Sequence, residues 1–156
     1  TNGYGLTPKN LELLYEAGLD SIWLDLKAFD ENAYRMLCGT TNRWILEVPK
    51  LAKDMGIVVE MVLLYIPTIV ERDQIEKFVS YLAEIDRSIP VTLLAFFPEH
   101  KLKHLRTPTL NEILSAYRLL WSKLHNVKIG NIGVFCRDSS CIEKLLQKVG
   151  REALAF

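Results

Sequence analysis

The chain has 156 residues, 19 basic against 19 acidic side chains for a formal net charge of zero, and 49% hydrophobic content. That is enough apolar material for one globular domain with its own core. Balanced charge argues against a nucleic-acid backbone as the main partner. No apolar run reaches the roughly 20 residues of a membrane helix, and without a signal peptide the expected compartment is the cytoplasm.

The chain starts at Thr1-Asn2-Gly3 without an initiator methionine, which leads us to expect a fragment of a longer protein. The three cysteines, Cys38, Cys136 and Cys141, are odd in number and spaced for neither a disulfide framework nor a zinc site.

Thr7-Pro8 opens a first helix with an N-cap and a proline suited to the first turn, and Gly18 ends it. Ser21 to Phe29, SIWLDLKAF, follows as a strand over 21–27. Its apolar run is broken by Asp25 and Lys27, which share one face because residues two apart in a strand do. Charges in an oily element are costly unless paired. The pair reads equally well as a local ion pair at a strand end and as a site. Asp30 caps a short helix stopped by Gly39. Thr41-Asn42 starts a longer one to about Asp54, which Pro49 should kink or shorten by removing a backbone donor.

Ile57 to Ile66, IVVEMVLLYI, reads as a strand buried on both sides in a parallel sheet. Glu60 interrupts it, as either a satisfied core acid or a residue facing a polar lumen; the second is favoured because it shares a face with Val62 and Leu64 that would point into a barrel. Glu71 to Asp86 is an amphipathic helix and Val91 to Phe97 another buried strand, running into Pro98-Glu99-His100. Thr109 caps a long helix, Val127 to Phe135 is a weak strand, and Cys141 to Leu154 a terminal helix. Strands alternating with helices imply right-handed βαβ units and a parallel sheet. Function in such folds gathers at the C-terminal strand ends, which here carry Asp25, Lys27, Tyr65 to Pro67, and Pro98 to His100.

Thr1-Asn2-Gly3, Asp25-Leu26-Lys27-Ala28-Phe29-Asp30 and Tyr34-Arg35-Met36-Leu37-Cys38-Gly39 closely resemble the second half of radical S-adenosylmethionine (SAM) enzymes. The likeness continues through Glu60 to Pro67, Phe96 to Leu102, Pro108-Thr109 and Gly130-Asn131, about residues 1 to 132. The group it resembles is that of glycyl-radical activating enzymes such as pyruvate formate-lyase activase, and in particular the AmmeMemoRadiSam-type branch. The resemblance implies an α/β fold, a parallel-stranded partial (β/α) barrel of which this chain is the C-terminal half. Residues 1–135 would form that half and 136–156 a C-terminal helical extension.

It also implies an oxidoreductase chemistry in which a [4Fe-4S] cluster reductively cleaves SAM to a 5′-deoxyadenosyl radical for hydrogen abstraction. Asp25 and Lys27 would line the SAM site, with Lys27 on ribose or carboxylate oxygens. His100, two residues after Pro98, would lie near the adenine. In the AmmeMemoRadiSam branch tyrosine usually holds that position and histidine precedes the proline, whereas Phe97 precedes it here.

The CxxxCxxC cluster loop is absent from the 156 residues, as is the glycine-rich segment that contacts the methionine amino group. By the family pattern the chain supplies only the fourth, fifth and sixth barrel strands. Cys136 and Cys141 have the wrong spacing for cluster ligands, and Cys38 is expected to be packed rather than reactive. Two expectations follow. The chain alone neither holds a cluster nor cleaves SAM, and its open sheet edge favours edge-mediated homodimers.

The partners implied are SAM and a protein or small-molecule substrate, without nucleic acid or membrane. Competing readings are a phosphate- or sugar-binding (β/α) barrel enzyme with Lys27 as Schiff-base former or clamp, and an inactive half-barrel serving a regulatory or partner-binding role.

Overall fold

The structure is a computed structural model in which residues 1–155 are described. It contains α1 (Pro8–Glu16), β1 (Ser21–Leu26), α2 (Glu31–Cys38), α3 (Arg43–Asp54), β2 (Val58–Tyr65), α4 (Arg72–Ile85), β3 (Val91–Ala95), α5 (Leu110–Trp121), β4 (Val127–Gly130) and α6 (Ser139–Val149), with short 3-10 turns at His100–Leu102 and Ile132–Val134. The strands form one sheet in the order β1-β2-β3-β4, every pair parallel. The α/β fold with a parallel-stranded partial barrel is therefore as expected. The fourth strand extends the sheet beyond the three that the family pattern assigned.

Register explains the burial. Leu24 lies beside Met61, Met61 beside Val91 and Val91 beside Val127, and this row is buried. The opposite face carries Trp23 beside Glu60, and the row Asp25, Val62, Thr92 and Lys128. The first face is covered by helices, α3 on β2 and α5 on β4, with α4 against α5. Glu60, Val62 and Leu64 do share the second face, and Glu60 is exposed there.

Four local expectations need correction. Pro49 does not shorten α3, which runs to Asp54 with Pro49 buried. Core packing of Val48, Pro49 and Ala52 offsets the one lost backbone bond. The last strand stops at Gly130 rather than Phe135, because Asn131 turns left-handed (φ 54°) into a 3-10 turn. The terminal helix starts at Ser139 under an Asp138 cap and ends at Val149, not Leu154. Beyond it, the Ile129 N–H donates to the Ala153 carbonyl (2.7 Å) and the Ala155 N–H to that of Ile129 (2.9 Å), so the tail lines the outer edge of β4. Lastly, Cys136, just after the second 3-10 turn, and Cys141, in the first turn of α6, are joined in a disulfide, which spacing alone did not disclose.

α5 begins with a reciprocal cap: the Thr109 hydroxyl accepts from the Glu112 N–H (3.3 Å), and the Glu112 carboxylate accepts from the Thr109 N–H (2.7 Å). Thr109→Ala is expected to cost about 1 kcal/mol in urea unfolding. The Arg106 guanidinium, 2.5 Å from Glu112, holds that carboxyl at about 2, below its ordinary 4.5. A depressed carboxyl contributes stability that is full above its ordinary value and lost as pH falls toward the folded one. Acid titration followed by circular dichroism should therefore show a loss between pH 4.5 and 2 that Glu112→Gln diminishes.

Candidate functional site

β1 places Asp25 near the C-terminal end of the sheet on its open face, with the parity of Trp23, and Lys27 follows one residue past the strand. The Lys27 ammonium meets Asp25 Oδ2 at 2.5 Å, with side chains 36% and 30% exposed. The other carboxylate oxygen, Asp25 Oδ1, is buried without a hydrogen-bond partner among the described residues. A buried acceptor left unmatched costs free energy comparable to a lost hydrogen bond. An ion pair alone does not account for it, since Lys27 satisfies one oxygen and leaves its neighbour empty.

The chain start folds over this strand. The Thr1 ammonium donates to the Trp23 carbonyl (2.8 Å), and the Asp25 N–H donates to the Thr1 carbonyl (2.9 Å). Gly3 makes the turn at φ 74°, where a Cβ would lie 2.7 Å from Leu24 Cδ1. Only glycine fits both the torsion and the space.

The loop after Lys27 is held by two buried polar side chains. Gln74 Oε1 accepts from the N–H groups of Phe29 and Asp30, both at 3.1 Å, and Asn42 Nδ2 donates to the Phe29 carbonyl at 2.8 Å. Gln74 Nε2 donates back to the Ile69 carbonyl. The sequence reading missed both residues. The available signal was a polar residue on an apolar stripe, since Gln74 lies one helical turn before Phe78 on the face that α4 buries.

A cleft of about 390 Å³ lies beside the pair, lined by Asn2, Tyr4, Lys27, Tyr34, Cys38 and Gly39 among others. Burial pushes the Tyr34 hydroxyl up to about 12, and partial desolvation raises the Cys38 thiol above its ordinary value although the residue itself is exposed. Cys38 is free and exposed, not packed as expected. It ends α2, where Gly39 turns away left-handed and leaves its side chain over the cleft.

His100 lies at the same end of the sheet, after β3, exposed and left-handed at φ 47°. It follows β3, the second strand over from β1, and makes no hydrogen bond or ion pair with Asp25 or Lys27 among the described residues. Thr68 after β2 (φ 70°) and Asn131 after β4 (φ 54°) share this torsion. Three non-glycine residues in that region, each in a loop that follows a strand, store strain along one rim of the sheet.

These features define a class: a parallel α/β partial barrel with its polar site at the C-terminal strand ends. The Radical SAM superfamily pattern matches residues 1–82, more than half of the chain, and the protein belongs to that superfamily. It is 30% identical over 131 residues to MJ1632 of Methanocaldococcus jannaschii, named "Putative glycyl-radical enzyme activating enzyme", covering 81% of this chain and 49% of that protein. It is 32% identical over 136 residues to the uncharacterized protein MJ0808 of the same organism, covering 85% of this chain and 39% of the other. The chain thus spans half or less of the length of these curated relatives.

Among solved structures, a domain of pyruvate-formate lyase-activating enzyme from Bacteroides vulgatus superposes with a TM-score of 0.69 at 18% identity, over 83% of this chain and 78% of that one. That likeness establishes the fold.

The described residues do not fit an iron–sulfur cluster. Cys136 and Cys141 are bonded to each other, Cys38 stands apart, and no group of three or more His, Cys, Asp or Glu could hold a metal ion. Among the described residues no helix is long and apolar enough to cross a membrane.

Proposed function

We propose that this chain is the SAM-binding C-terminal part of a radical SAM enzyme of the glycyl-radical activating-enzyme type, with the cluster ligands supplied by residues outside this sequence. The observation that carries the reading is the buried, unmatched Asp25 Oδ1 beside the Lys27 ammonium. SAM presents donors (an ammonium and a ribose diol) and a carboxylate acceptor. Asp25 Oδ1 offers an acceptor to the former and Lys27 a charged donor to the latter, a pairing of charge-assisted hydrogen bonds. His100 lies on the same rim, within reach of a ligand that spans from β1 to β3, and contacts the adenine. When bound, SAM supplies the hydrogen-abstracting 5′-deoxyadenosyl group. Asp25 and Lys27 orient it.

Cys38 gives a test that needs no turnover. It lines the same cleft as Lys27, so added SAM should slow its alkylation by iodoacetamide several-fold, read by mass spectrometry. An unchanged rate counts against the site. The activity test is anaerobic reconstitution of the longest product of the parent reading frame, with 5′-deoxyadenosine quantified beside this chain. Product from the long form alone supports the reading, and product from neither favours a partner-binding half-barrel.

One observation favours that second reading: Trp23 and Val58 are 60% and 59% exposed on the open sheet face. Exposed apolar residues on one face favour association. Light scattering at high concentration should report dimers of this chain, and a clean monomer would argue against self-association.

A further inference from the structure

A second cleft, of about 640 Å³, opens at the opposite end of the sheet, the N-terminal ends of β2 to β4. Its volume lies in the range of small-molecule sites. Trp121 lines it with 52% of its surface exposed, and its ring is stacked on Tyr117 at 6.0 Å and 15°, while Tyr117 itself is buried. The buried tyrosine fixes the plane of the exposed indole, making a rigid platform for another flat ring. Arg118, Lys128 and Lys148 stand around this platform, against Glu60 and Glu152. None of these five charges is in an ion pair among the described residues. They converge from α5, β4, α6, β2 and the C-terminal tail, so the grouping is made by the tertiary fold.

We infer that this cleft binds a nucleoside phosphate, independently of the SAM reading. The base stacks on Trp121, as bases do on exposed aromatic side chains. Lys128 and Lys148 take the phosphate as charged donors. The excess of cations over acids gives the cleft the sign a phosphate needs, and the two carboxylates accept from ribose hydroxyls or an exocyclic amine.

The test is calorimetric titration of the chain with AMP, and separately with adenosine and inorganic phosphate. AMP should saturate one site, with either half binding about tenfold or more weakly, because each half forfeits one set of contacts. Trp121→Ala should weaken AMP by about tenfold and Trp121→Phe should restore most of it. Lys148→Ala should weaken AMP and reduce its salt dependence while leaving adenosine unchanged. Lys27→Ala, at the other end of the sheet, should leave AMP binding intact. Absence of saturable AMP binding overturns the inference. So does AMP binding that Lys27→Ala abolishes and Trp121→Ala spares, which would assign the nucleotide to the other cleft. Half-exposed Trp121 is replaceable without a core cavity, and unchanged circular dichroism of the variant verifies that.

Discussion

Lys27→Ala is expected to weaken SAM binding by about tenfold to a hundredfold, the range for losing a hydrogen bond from a charged donor. The lysine serves two groups at once in the proposed site. Its ammonium sits 2.5 Å from Asp25 Oδ2, and its remaining donors are free for a ligand oxygen. Removing it takes away the ligand contact and leaves Asp25 as an unneutralised carboxylate in a partly buried position, which raises the cost. Lys27→Arg should recover only part of the loss, because a planar fork cannot reproduce a compact ammonium within the same reach. Equilibrium binding on this chain and on the longest product of its reading frame measures the effect. Affinities for wild type and Lys27→Ala within about twofold of each other would remove Lys27 from the site.

Gln74→Leu should destabilise the fold by about 2–4 kcal/mol, since orphaned buried donors cost about 1–3 kcal/mol each. The replacement preserves most of the volume, so the loss is polar. The N–H groups of Phe29 and Asp30 lose their acceptor, and the Ile69 carbonyl loses its donor. These groups belong to the loop that continues from Lys27, so SAM binding should fall together with stability. Urea unfolding of Gln74→Leu beside Arg72→Ala, an exposed position on the same helix, separates the two causes. Surface substitutions of that kind stay within about 0.5 kcal/mol. Equal stability of the two variants would mean that water satisfies the loop in place of Gln74.

Legibility followed sequence separation. β1 and β2 were readable because apolar periodicity and turn residues act within one segment. The pairing of Asp25 with Lys27 was readable as a shared face because strand parity puts residues two apart on one side. The end of β4 was not, because Gly130 and Gly133 read as interruptions within one weak strand over 127–135, whereas the left-handed turn at Asn131 that ends it is held by tertiary contact. There Asn131 Nδ2 donates to the Ala95 carbonyl at 3.1 Å, across to β3. Cys38 was misread for a related reason. Its place in the Leu37-Cys38-Gly39 turn suggested packing, but the direction of the last helical turn decides exposure.

The sequence by itself determined the alternating elements, the parallel sheet and the rim that would carry polar chemistry. Those follow from local propensity, periodicity and the handedness of the crossover. Only the tertiary structure decided which groups meet. It put Gln74 and Asn42 under the loop after Lys27, joined Cys136 to Cys141, and brought Trp121, Lys128 and Lys148 to one cleft. Such contacts are made between elements, from five residues apart for the disulfide to 45 for Gln74 and Phe29, and the polar ones draw on desolvation and hydrogen-bond satisfaction, which no local pattern encodes.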